Sequence, residues 1–376
     1  MNFTFSDEQE ELRKTIRRFL EEKSPSTEVR RLMETPDGYD EAVWKQMAQE
    51  LGLQGLHLPE SYGGQGFSFV ELGIVLEEMG RVLLCAPFFS TVCLAANAVL
   101  NAGTEEQKMA LLPGIASGET VATLAIAEPA GRWDSPGIEA TATPDGDGWR
   151  MTGTKRFVLD GSAASLIVVA ARLAGTSGDD GIGLFAVAGD TDGVGREALP
   201  TLDQTRKQAA LTLDGARASA IGSPGKDWPA LAKTLDQIAV CLSAEMVGGA
   251  QRCLDMAVDY AKNRIQFGRP IGMFQAIKHK CADMLLQIES ARTAAYYAMW
   301  VAARDDDELG VIAPLAKAYG GDAYFFAASE NIQVHGGIGF TWEHDCHLYF
   351  KRAKSSELLF GDSVYHRELL AQRLGI

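Results

Sequence analysis

A basic stretch free of acidic side chains is the first feature of this sequence that could bind a ligand. No Asp or Glu lies between Asp259 and Asp283, although the whole chain carries a net charge of −15 at pH 7. The stretch contains five cations: Lys262, Arg264, Arg269, Lys278 and Lys280. It could hold an anionic ligand, or it could simply form a solvated helix face. The acidic balance of the whole chain argues against nucleic acid as a general partner.

A second feature is the segment KSSELLFGDS, residues 354–363, which ends in a turn signal at Gly361 and Asp362. Phe360 stands immediately before that turn. A large apolar ring beside a tight turn can close a hydrophobic core. It can also stand at a position where another residue would do chemistry.

The segment HDCHLY places His344 and His347 around Cys346, which are residue types that bind metals. A metal site would need a further pair of ligands, and the sequence shows none nearby. We therefore predict no metal site. His335 and His366 could titrate near neutral pH, but a histidine on a helix is more often a structural residue.

The elements that must position these residues fall into three regions of different composition. Residues 1–117 read as helices, residues 118–226 as short strands joined by turns, and residues 227–376 as long amphipathic helices. We take these ranges as three domains. The predicted fold class is α+β, in the order helix, sheet, helix.

Local signals place the ends of several elements. Ser6 and Gln9 have the spacing of a capping box at the start of the first helix. A short helix in GTEEQKMALLPGIASGE is expected to end at Pro113 and Gly114. In the middle region, TVATLAIA, GWRMTGTKRFVL, SLIVVAAR and GLFAVAG are separated by turn sequences, which predicts antiparallel strands in a small barrel or sandwich.

The sequence lacks a membrane span, a secretion signal and a CxxC pair, and these absences indicate the cellular compartment. No run approaches the ~18–20 apolar residues of a membrane span, and the N-terminus has no apolar region typical of a secretion signal. The six cysteines include no CxxC pair, a pattern typical of reduced, buried thiols. We therefore expect a cytoplasmic protein.

Five motifs together resemble the acyl-CoA dehydrogenase family. In chain order they are PESYGGQG (59–66), LPGIASGE (112–119), AEPAG (127–131), RIQFGRPIGMFQAIKHKCADM (264–284) and QVHGGIGF (333–340). Each motif is weak alone, but all five occur in family order and at family spacing. The resemblance implies an N-terminal helical domain, a middle antiparallel β-domain and a C-terminal four-helix bundle.

The resemblance also implies FAD as cofactor, and residues in these motifs suit its dinucleotide tail. Arg264 can direct its guanidinium fork onto a pyrophosphate, and Phe267 offers a ring to adenine or ribose. Gln275 and Gln333 can donate to and accept from polar cofactor groups. Gly336–Gly337 let backbone N–H groups approach a ligand closely. In the family this tail belongs to the FAD of a neighbouring subunit, so the same residues imply an oligomer, a tetramer by resemblance.

The family desaturates acyl-CoA thioesters, which implies an acyl-CoA substrate and an electron-transfer flavoprotein as acceptor. A carboxylate removes the α-proton while a hydride passes to the flavin. Counted from Gln333, the family pattern places Phe360 where the catalytic glutamate belongs and Gly361 on the following glycine. The alternative family position, on the first long C-terminal helix, falls at Ile238. Neither side chain can accept a proton.

Two acidic residues remain weak candidates for a relocated base. Glu245 lies seven residues after Ile238, on roughly the same helix face but about 10 Å along the axis. As a polar helix residue it needs no special role. Asp362 has the right chemistry but a shorter side chain and a different place in the turn. We therefore assign no catalytic residue.

The β-domain departs from the family pattern as well. Ala127 and Trp133 stand where the resemblance leads us to expect Thr and Ser. Phe157 replaces a flavin-facing Trp, although its ring could still stack, and Leu159 replaces a Thr that would hydrogen-bond the flavin. Three hydroxyl groups are thus missing from the half-site for the flavin ring, while the residues for the adenosine end are present.

This asymmetry predicts the base-lacking subunit of a heteromeric enzyme. The chain is similar in this respect to the glutamate-lacking subunits of bacterial α2β2 acyl-CoA dehydrogenases that shorten steroid side chains. Its partner would then be a glutamate-bearing homologous subunit. Two alternatives stay open: a homo-oligomeric flavoenzyme with a relocated base or other flavin chemistry, and a non-catalytic binding or scaffold protein.

Overall fold

The structure, a computed structural model, describes residues 5–376. Their contacts group them into two compact units. The helical unit comprises the chain up to Arg31 together with Ser68–Leu84 and Ala239–Ile376, and the sheet unit comprises Leu32–Phe67 and Cys85–Ile238. Each unit therefore joins segments that are far apart in the sequence.

In chain order, helices precede and follow a β-rich middle region. The α-helices in residues 5–376 are α1 Asp7–Lys23, α2 Ser26–Met33, α3 Glu41–Gln49, α4 Phe69–Arg81, α5 Asn97–Ala102, α6 Glu105–Ala116, α7 Trp228–Asn263, α8 Gln275–Ala303, α9 Leu309–His335, α10 Cys346–Leu358 and α11 Ser363–Leu374. The strands are β1 Ala122–Ala125, β2 Thr141–Asp145, β3 Gly148–Leu159, β4 Leu166–Leu173, β5 Ile182–Ala188, β6 Val194–Ala198, β7 Gln208–Ile221, β8 Ile265–Gln266 and β9 Arg269–Pro270. This order confirms the predicted α+β class. Within the same residues, no helix has the length and apolar character needed to cross a membrane.

Helix α1 begins where its capping residues predict. Ser6 Oγ accepts a hydrogen bond from the Gln9 N–H at 3.2 Å, and Gln9 Oε1 accepts one from the Ser6 N–H at 3.0 Å. In the same unit, Arg17 donates two hydrogen bonds, of 2.8 and 2.7 Å, to the buried carboxylate of Glu78 on α4. This bidentate pair fixes α1 against α4.

One predicted helix end is wrong. The sequence predicts that Pro113 and Gly114 end their helix, but α6 continues through both residues to Ala116. A proline removes one backbone donor from a helix, and here it falls in the last turn. The carbonyls of that turn keep their partners, because the Ser117 N–H donates to Pro113 at 3.0 Å and the Thr120 N–H donates to Gly114 at 2.9 Å.

The sheet unit contains a small barrel. Strands β4, β2, β3, β7 and β5 pair in succession, and β5 pairs back onto β4, so the ring closes. Most pairs are antiparallel as predicted, but β1 and β2 each pair with β4 in parallel. The wholly antiparallel prediction is therefore corrected. No hairpin turn joins either strand directly to β4, so nothing local forces an antiparallel alignment.

Strand β3 contributes Met151 and Val158 to the buried core of the barrel. Strand β3 has the bounds of the predicted run GWRMTGTKRFVL. In β4, the six residues 166–171 are all buried, as is typical of strands covered on both faces. Across the core, the rings of Trp149 and Phe185 lie 5.2 Å apart.

Helices α7 to α11 confirm the predicted C-terminal helical domain. Its last helical stretch is divided by a turn at residues 359–362, which separates α10 from α11. That turn contains Phe360 and Gly361, the residues that the sequence analysis singled out.

Candidate flavin-binding site

A short hairpin after α7 presents the first predicted ligand-binding residues. Strands β8 and β9 are joined by Phe267 and Gly268, whose φ angles are +52° and +76°. Two positive φ angles suit a tight hairpin turn, but a bulky residue adopts such an angle only at an energetic cost. The Phe267 ring is 90% exposed and meets Phe274 edge-on with ring centres 6.1 Å apart. The hairpin thus presents an aromatic face that a base or ribose can contact.

Arg264 lies at the exit of α7, and its backbone is held on both sides. Its N–H donates to the Tyr260 carbonyl, and its own carbonyl accepts from the Ile271 N–H, both at 2.8 Å. The residue is exposed and, within residues 5–376, its guanidinium forms no ion pair with an acidic side chain. Lys280, by contrast, pairs with Glu330. Arg264 therefore keeps its guanidinium donors for a ligand from outside the chain.

The two ends of the predicted clamp lie side by side. Lys280 near the start of α8 pairs with Glu330 near the end of α9, so these helix ends are neighbours. Exposed Gln275 is five residues before Lys280, about 7.5 Å along α8. Exposed Gln333 is three residues after Glu330, about 4.5 Å along α9. Residues predicted from separate motifs thus occupy one region of the helical unit.

Gly336 and Gly337 play different parts. Gly336 caps the C-terminus of α9 with φ +64° and ψ −141°, a combination restricted almost entirely to glycine. The fold itself requires this glycine. Gly337 has no left-handed φ, and a Cβ added there would meet no atom of the chain within 4 Å. The space at Gly336 is equally open, so the two glycines differ only in backbone conformation. Open space at both positions is expected where another molecule approaches the backbone.

In the sheet unit, Phe157 is presented by an irregularity in β3. The register between β3 and β7 shifts between Lys155 and Val158, and Phe157 has φ +57°. Such a bulge re-aims a side chain. The ring is 38% exposed, and the Arg156 guanidinium lies 6.0 Å from its centre. The sheet unit therefore still offers an aromatic face.

A buried ion pair next to Phe157 anchors the loop after β1. Lys155 is fully buried, and its Nζ donates to Glu128 Oε1 at 2.7 Å and to the Ile126 carbonyl at 2.9 Å. The same carboxylate oxygen accepts the N–H groups of Glu139 and Ala140 at 2.9 and 2.8 Å. Burial lowers the pKa of Lys155, and the negative charge of Glu128 opposes that shift. Sequence reasoning misses this pair, although its members stand in the KRFVLDG and AEPAG motifs.

This platform presents an aromatic ring but no hydroxyl group at the positions of Ala127, Trp133 and Leu159. Ala127 and Leu159 are each 1% exposed, whereas Trp133 is half-buried. The Leu159 carbonyl accepts a 2.6 Å hydrogen bond from Thr123 Oγ1. The backbone of the platform is thus tied into the barrel even where its side chains are apolar.

Two buried side chains, those of Lys317 and His366, hold the turn that contains Phe360. Phe360 has φ +59° and is 4% exposed. His366 Nε2 donates to its carbonyl at 3.1 Å, and Lys317 Nζ donates to the carbonyls of Gly361 and Glu357, both at 3.0 Å. Burial lowers the pKa of Lys317 to about 7, and burial together with the Lys317 charge lowers the pKa of His366 to about 3. No motif in the sequence points to Lys317.

The two weak base candidates are both engaged elsewhere. Glu245 Oε1 accepts a 3.0 Å hydrogen bond from Arg352 in a buried ion pair. Asp362 is the N-cap of α11 and accepts from the Tyr365 N–H at 2.8 Å. Ile238 is fully buried. These contacts favour structural roles for Glu245 and Asp362.

Comparison with known proteins decides the family. Sequence models of the acyl-CoA dehydrogenase N-terminal, middle and C-terminal domains match residues 6–119, 123–215 and 225–375. The chain belongs to the acyl-CoA dehydrogenase family. It is 32% identical to acyl-CoA dehydrogenase IpdE2 of Mycolicibacterium smegmatis, over 95% of both chains. It is 30% identical to the probable acyl-CoA dehydrogenase FadE25 of Mycobacterium tuberculosis, over 99% of this chain and 96% of that one.

Solved structures agree over nearly the full length. A variant of the Tcur3481–Tcur3483 steroid ACAD superposes with a TM-score of 0.89 at 32% identity, covering 98% of each chain. Butyryl-CoA dehydrogenase from Megasphaera elsdenii gives a TM-score of 0.94 at 27% identity, covering 100% of each chain. The ChsE4–ChsE5 complex from Mycobacterium tuberculosis gives 0.89 at 27% identity, covering 100% of this chain and 99% of that one.

Acyl-CoA dehydrogenases are FAD-dependent flavoproteins, and the described residues fit that cofactor unevenly. The exposed Arg264 and the open space at Gly337 suit the pyrophosphate and adenosine end. For the flavin ring, Phe157 offers a stacking face, but Ala127 and Leu159 offer it no hydrogen bond. When bound, FAD supplies the hydride acceptor for desaturation.

Proposed function

We propose that this chain is the base-lacking subunit of a heteromeric acyl-CoA dehydrogenase and holds the tail of an FAD whose ring lies in a glutamate-bearing partner. The observation that carries the proposal is the turn at Phe360. Lys317 and His366 hold the backbone of this turn through hydrogen bonds. The side chain of Phe360, however, cannot accept a proton.

The state of the other acids supports the same conclusion. A general base must reach the substrate and be free to take its proton. Glu245 instead neutralises the buried Arg352, and Asp362 accepts a backbone N–H. Releasing Glu245 for catalysis would leave a buried guanidinium without its charge partner, at a cost of several kcal/mol.

The residues of the helical unit define what this subunit contributes. Arg264 would bind the pyrophosphate through two charge-assisted hydrogen bonds. Phe267 would cover the adenine or ribose, and Gln275 and Gln333 would hydrogen-bond the polar groups of the tail. Gly336–Gly337 would let the backbone approach the ligand. The subunit thus positions the cofactor, while the chemistry takes place at the partner.

The substrate class and the electron acceptor belong to the proposal as well. A steroid ACAD is among the similar structures, and we infer a steroid-derived acyl-CoA as the substrate. Electron-transfer flavoprotein is the inferred acceptor. The assembly is expected to be an α2β2 tetramer with two FAD molecules, each held between unlike subunits.

Expression of the chain alone and with a glutamate-bearing homologue from the same locus tests the proposal. Alone, the chain should be flavin-poor and inactive, because each interface would pair a clamp with a deficient ring site. Together, the two chains should copurify in equal amounts as a yellow, active enzyme. Flavin absorbance per chain and acyl-CoA desaturation are the measurements.

One FAD per chain with turnover in the isolated protein would reject the heteromer and support a relocated base. Glu245→Gln would then be the first variant to assay. If the complex with the partner instead contains two FAD molecules per four chains and keeps full activity after Arg264→Ala, that result would contradict the role of Arg264 in holding the FAD tail, but not the heteromer itself.

A further inference from the structure

Three metal-ligating side chains meet at the two ends of the loop after α9. His335 is the last residue of α9, Cys346 is the first residue of α10, and His344 lies between them in the chain. Their donor atoms all lie within 4.8 Å of one another, and the rings of His335 and His344 have centres 4.5 Å apart. The fold therefore gathers two imidazoles and a thiol that the sequence separates.

The orientation of His335 suits a ligand. Its Nδ1 lies 2.8 Å from the Asn331 carbonyl oxygen, so Nδ1–H donates and Nε2 carries the lone pair. Its ring also stacks on Tyr260, with ring centres 4.3 Å apart. A backbone carbonyl that holds one imidazole nitrogen while the other is free to coordinate is the usual arrangement around a protein-bound metal.

Asn331 supplies an independent sign that another group belongs here. Its side chain is 0% exposed, and neither its amide oxygen nor its amide nitrogen has a partner at ordinary hydrogen-bond geometry in the described part of the chain. Asn331 lies one helical turn before His335, and the thiols of Cys253 and Cys346 both interact with its amide. Buried polar groups are rarely left without partners, and a metal-bound water or a metal thiolate would give this amide one.

We propose that His335, His344 and Cys346 bind a zinc-class divalent cation, with a water beside Asn331 completing the coordination. Tetrahedral zinc with bonds of about 2.0–2.3 Å needs donors roughly 3.3–3.7 Å apart, so the side chains close inward by about 1 Å on binding. Cys346 binds as the thiolate, and its proton passes to solvent as the metal–sulfur bond forms. His347 takes no part, because its ring stacks on Trp342 and its Nε2 lies 3.3 Å from the Trp342 carbonyl.

The proposed site would tie together both ends of the loop that carries Gly336 and Gly337. A cation bound there stabilises that loop, since it links the end of α9 to the start of α10. The sequence analysis predicts no metal because it looks for a second ligand pair near His344 and His347. The ligand that completes the set is His335, nine residues before His344.

Cobalt(II) titration of the tag-free, chelator-treated full-length chain tests the site. One Co²⁺ per chain should bind and give a thiolate-to-cobalt charge-transfer band in the near ultraviolet, and Zn²⁺ should abolish that band. Cys346→Ser should lose the band. Cys281→Ser, on α8 and outside the cluster, is the matched control and should keep it.

His344→Gln decides the question if Cys346→Ser fails to fold, since His344 is only half-buried. It should weaken Co²⁺ binding by on the order of tenfold or more, the loss that even outer-sphere partners of a metal cause. Absence of a thiolate band in the wild-type chain overturns the proposal. Wild-type affinity in His344→Gln overturns it equally.

Discussion

The helical unit and the sheet unit differ in how well their predicted flavin-binding residues suit the cofactor. In the helical unit, Arg264 is exposed, and Gly337 leaves space for a ligand. In the sheet unit, the buried pair of Lys155 and Glu128 still anchors the loop after β1, but Leu159 offers no hydroxyl group. The sheet unit thus keeps a side-chain pair that anchors its backbone, although it lacks polar side chains that could bind the flavin.

The physical reason lies in what each change costs the folded chain. Removing one member of a buried ion pair leaves an uncompensated charge and destabilises the protein by about 3–5 kcal/mol. Placing an apolar side chain where a hydroxyl would bond a ligand costs the folded chain little, because the lost partner is the ligand. Supports of the fold are therefore harder to lose than ligand contacts.

The largest expected effect concerns Phe360, which stands where the family pattern places the catalytic glutamate. Phe360→Glu alone should restore little desaturation, because Ala127, Trp133 and Leu159 still deny the flavin its hydrogen bonds. Combined with Ala127→Thr, Trp133→Ser and Leu159→Thr, the same change should raise the rate by on the order of 100-fold, the scale of a general base. Stopped-flow flavin reduction of the isolated chain loaded with FAD, where no glutamate-bearing partner supplies a base, measures both. Robust turnover by the single variant would show that the ring half-site is sound.

The next effect tests the support in the sheet unit. Lys155→Met should lower the free energy of unfolding by about 3–5 kcal/mol, because Glu128 is left buried without its cation. Urea denaturation measures the change. Arg217→Met removes an exposed ion pair with Asp147 in the same barrel and should have almost no effect. Equal losses in the two variants would contradict the role of burial.

A pH effect should appear in both units. Burial lowers the pKa of His57, beside Asn97, to about 4 and that of His366, beside Lys317, to about 3. In the unfolded chain both titrate near 6.5, so the unfolded state binds more protons below that pH. The two histidines should contribute fully to the free energy of unfolding above pH 6.5. That contribution should fall as the pH drops to 4 and then 3.

The His57 contribution should be about 3 kcal/mol. Urea midpoints measured from pH 7 to pH 4 check this expectation. His57→Gln should flatten the profile, whereas His279→Gln, at an exposed position, should leave it unchanged. A wild-type profile without slope in this range would contradict the prediction.

Arg264→Ala should strip FAD from the assembled enzyme. The variant loses a bidentate charge-assisted contact of about 1.5–3 kcal/mol, which corresponds to weaker binding by on the order of 10–100-fold. Flavin occupancy after gel filtration is the readout. Lys262→Ala, at another exposed cation of the same stretch, is the matched control. Unchanged occupancy in Arg264→Ala would remove the clamp from the proposal.

The smallest effect on folding separates the two clamp glycines. Gly337→Ala should leave the unfolding free energy nearly unchanged, because its Cβ meets no atom of the chain within 4 Å, yet it should reduce FAD occupancy. Gly336→Ala should destabilise the chain by about 1 kcal/mol or more, because its φ and ψ suit only glycine. Equal destabilisation by both variants would assign Gly337 a role in folding instead.

Much of the fold follows from local patterns. The capping box at Ser6, the bounds of β3 and the turn before α11 were all predictable, because each depends on residues within a few positions of one another. The end of α6 was not predictable, because Pro113 lies in the last turn, where the helix tolerates the loss of one backbone N–H donor. The parallel pairing of β1 with β4 depends on contacts between distant strands, which no local pattern encodes.

The sequence by itself determined the family and the absence of a proton-accepting side chain at Phe360, because both depend on residue identity and spacing. For the same reason it predicts a basic clamp around Arg264. Only the tertiary structure showed that Glu245 is paired with Arg352, that Lys317 holds the Phe360 turn, and that His335 meets Cys346. These contacts join residues on different elements, and their strength depends on burial. Burial and long-range pairing arise only when the chain folds.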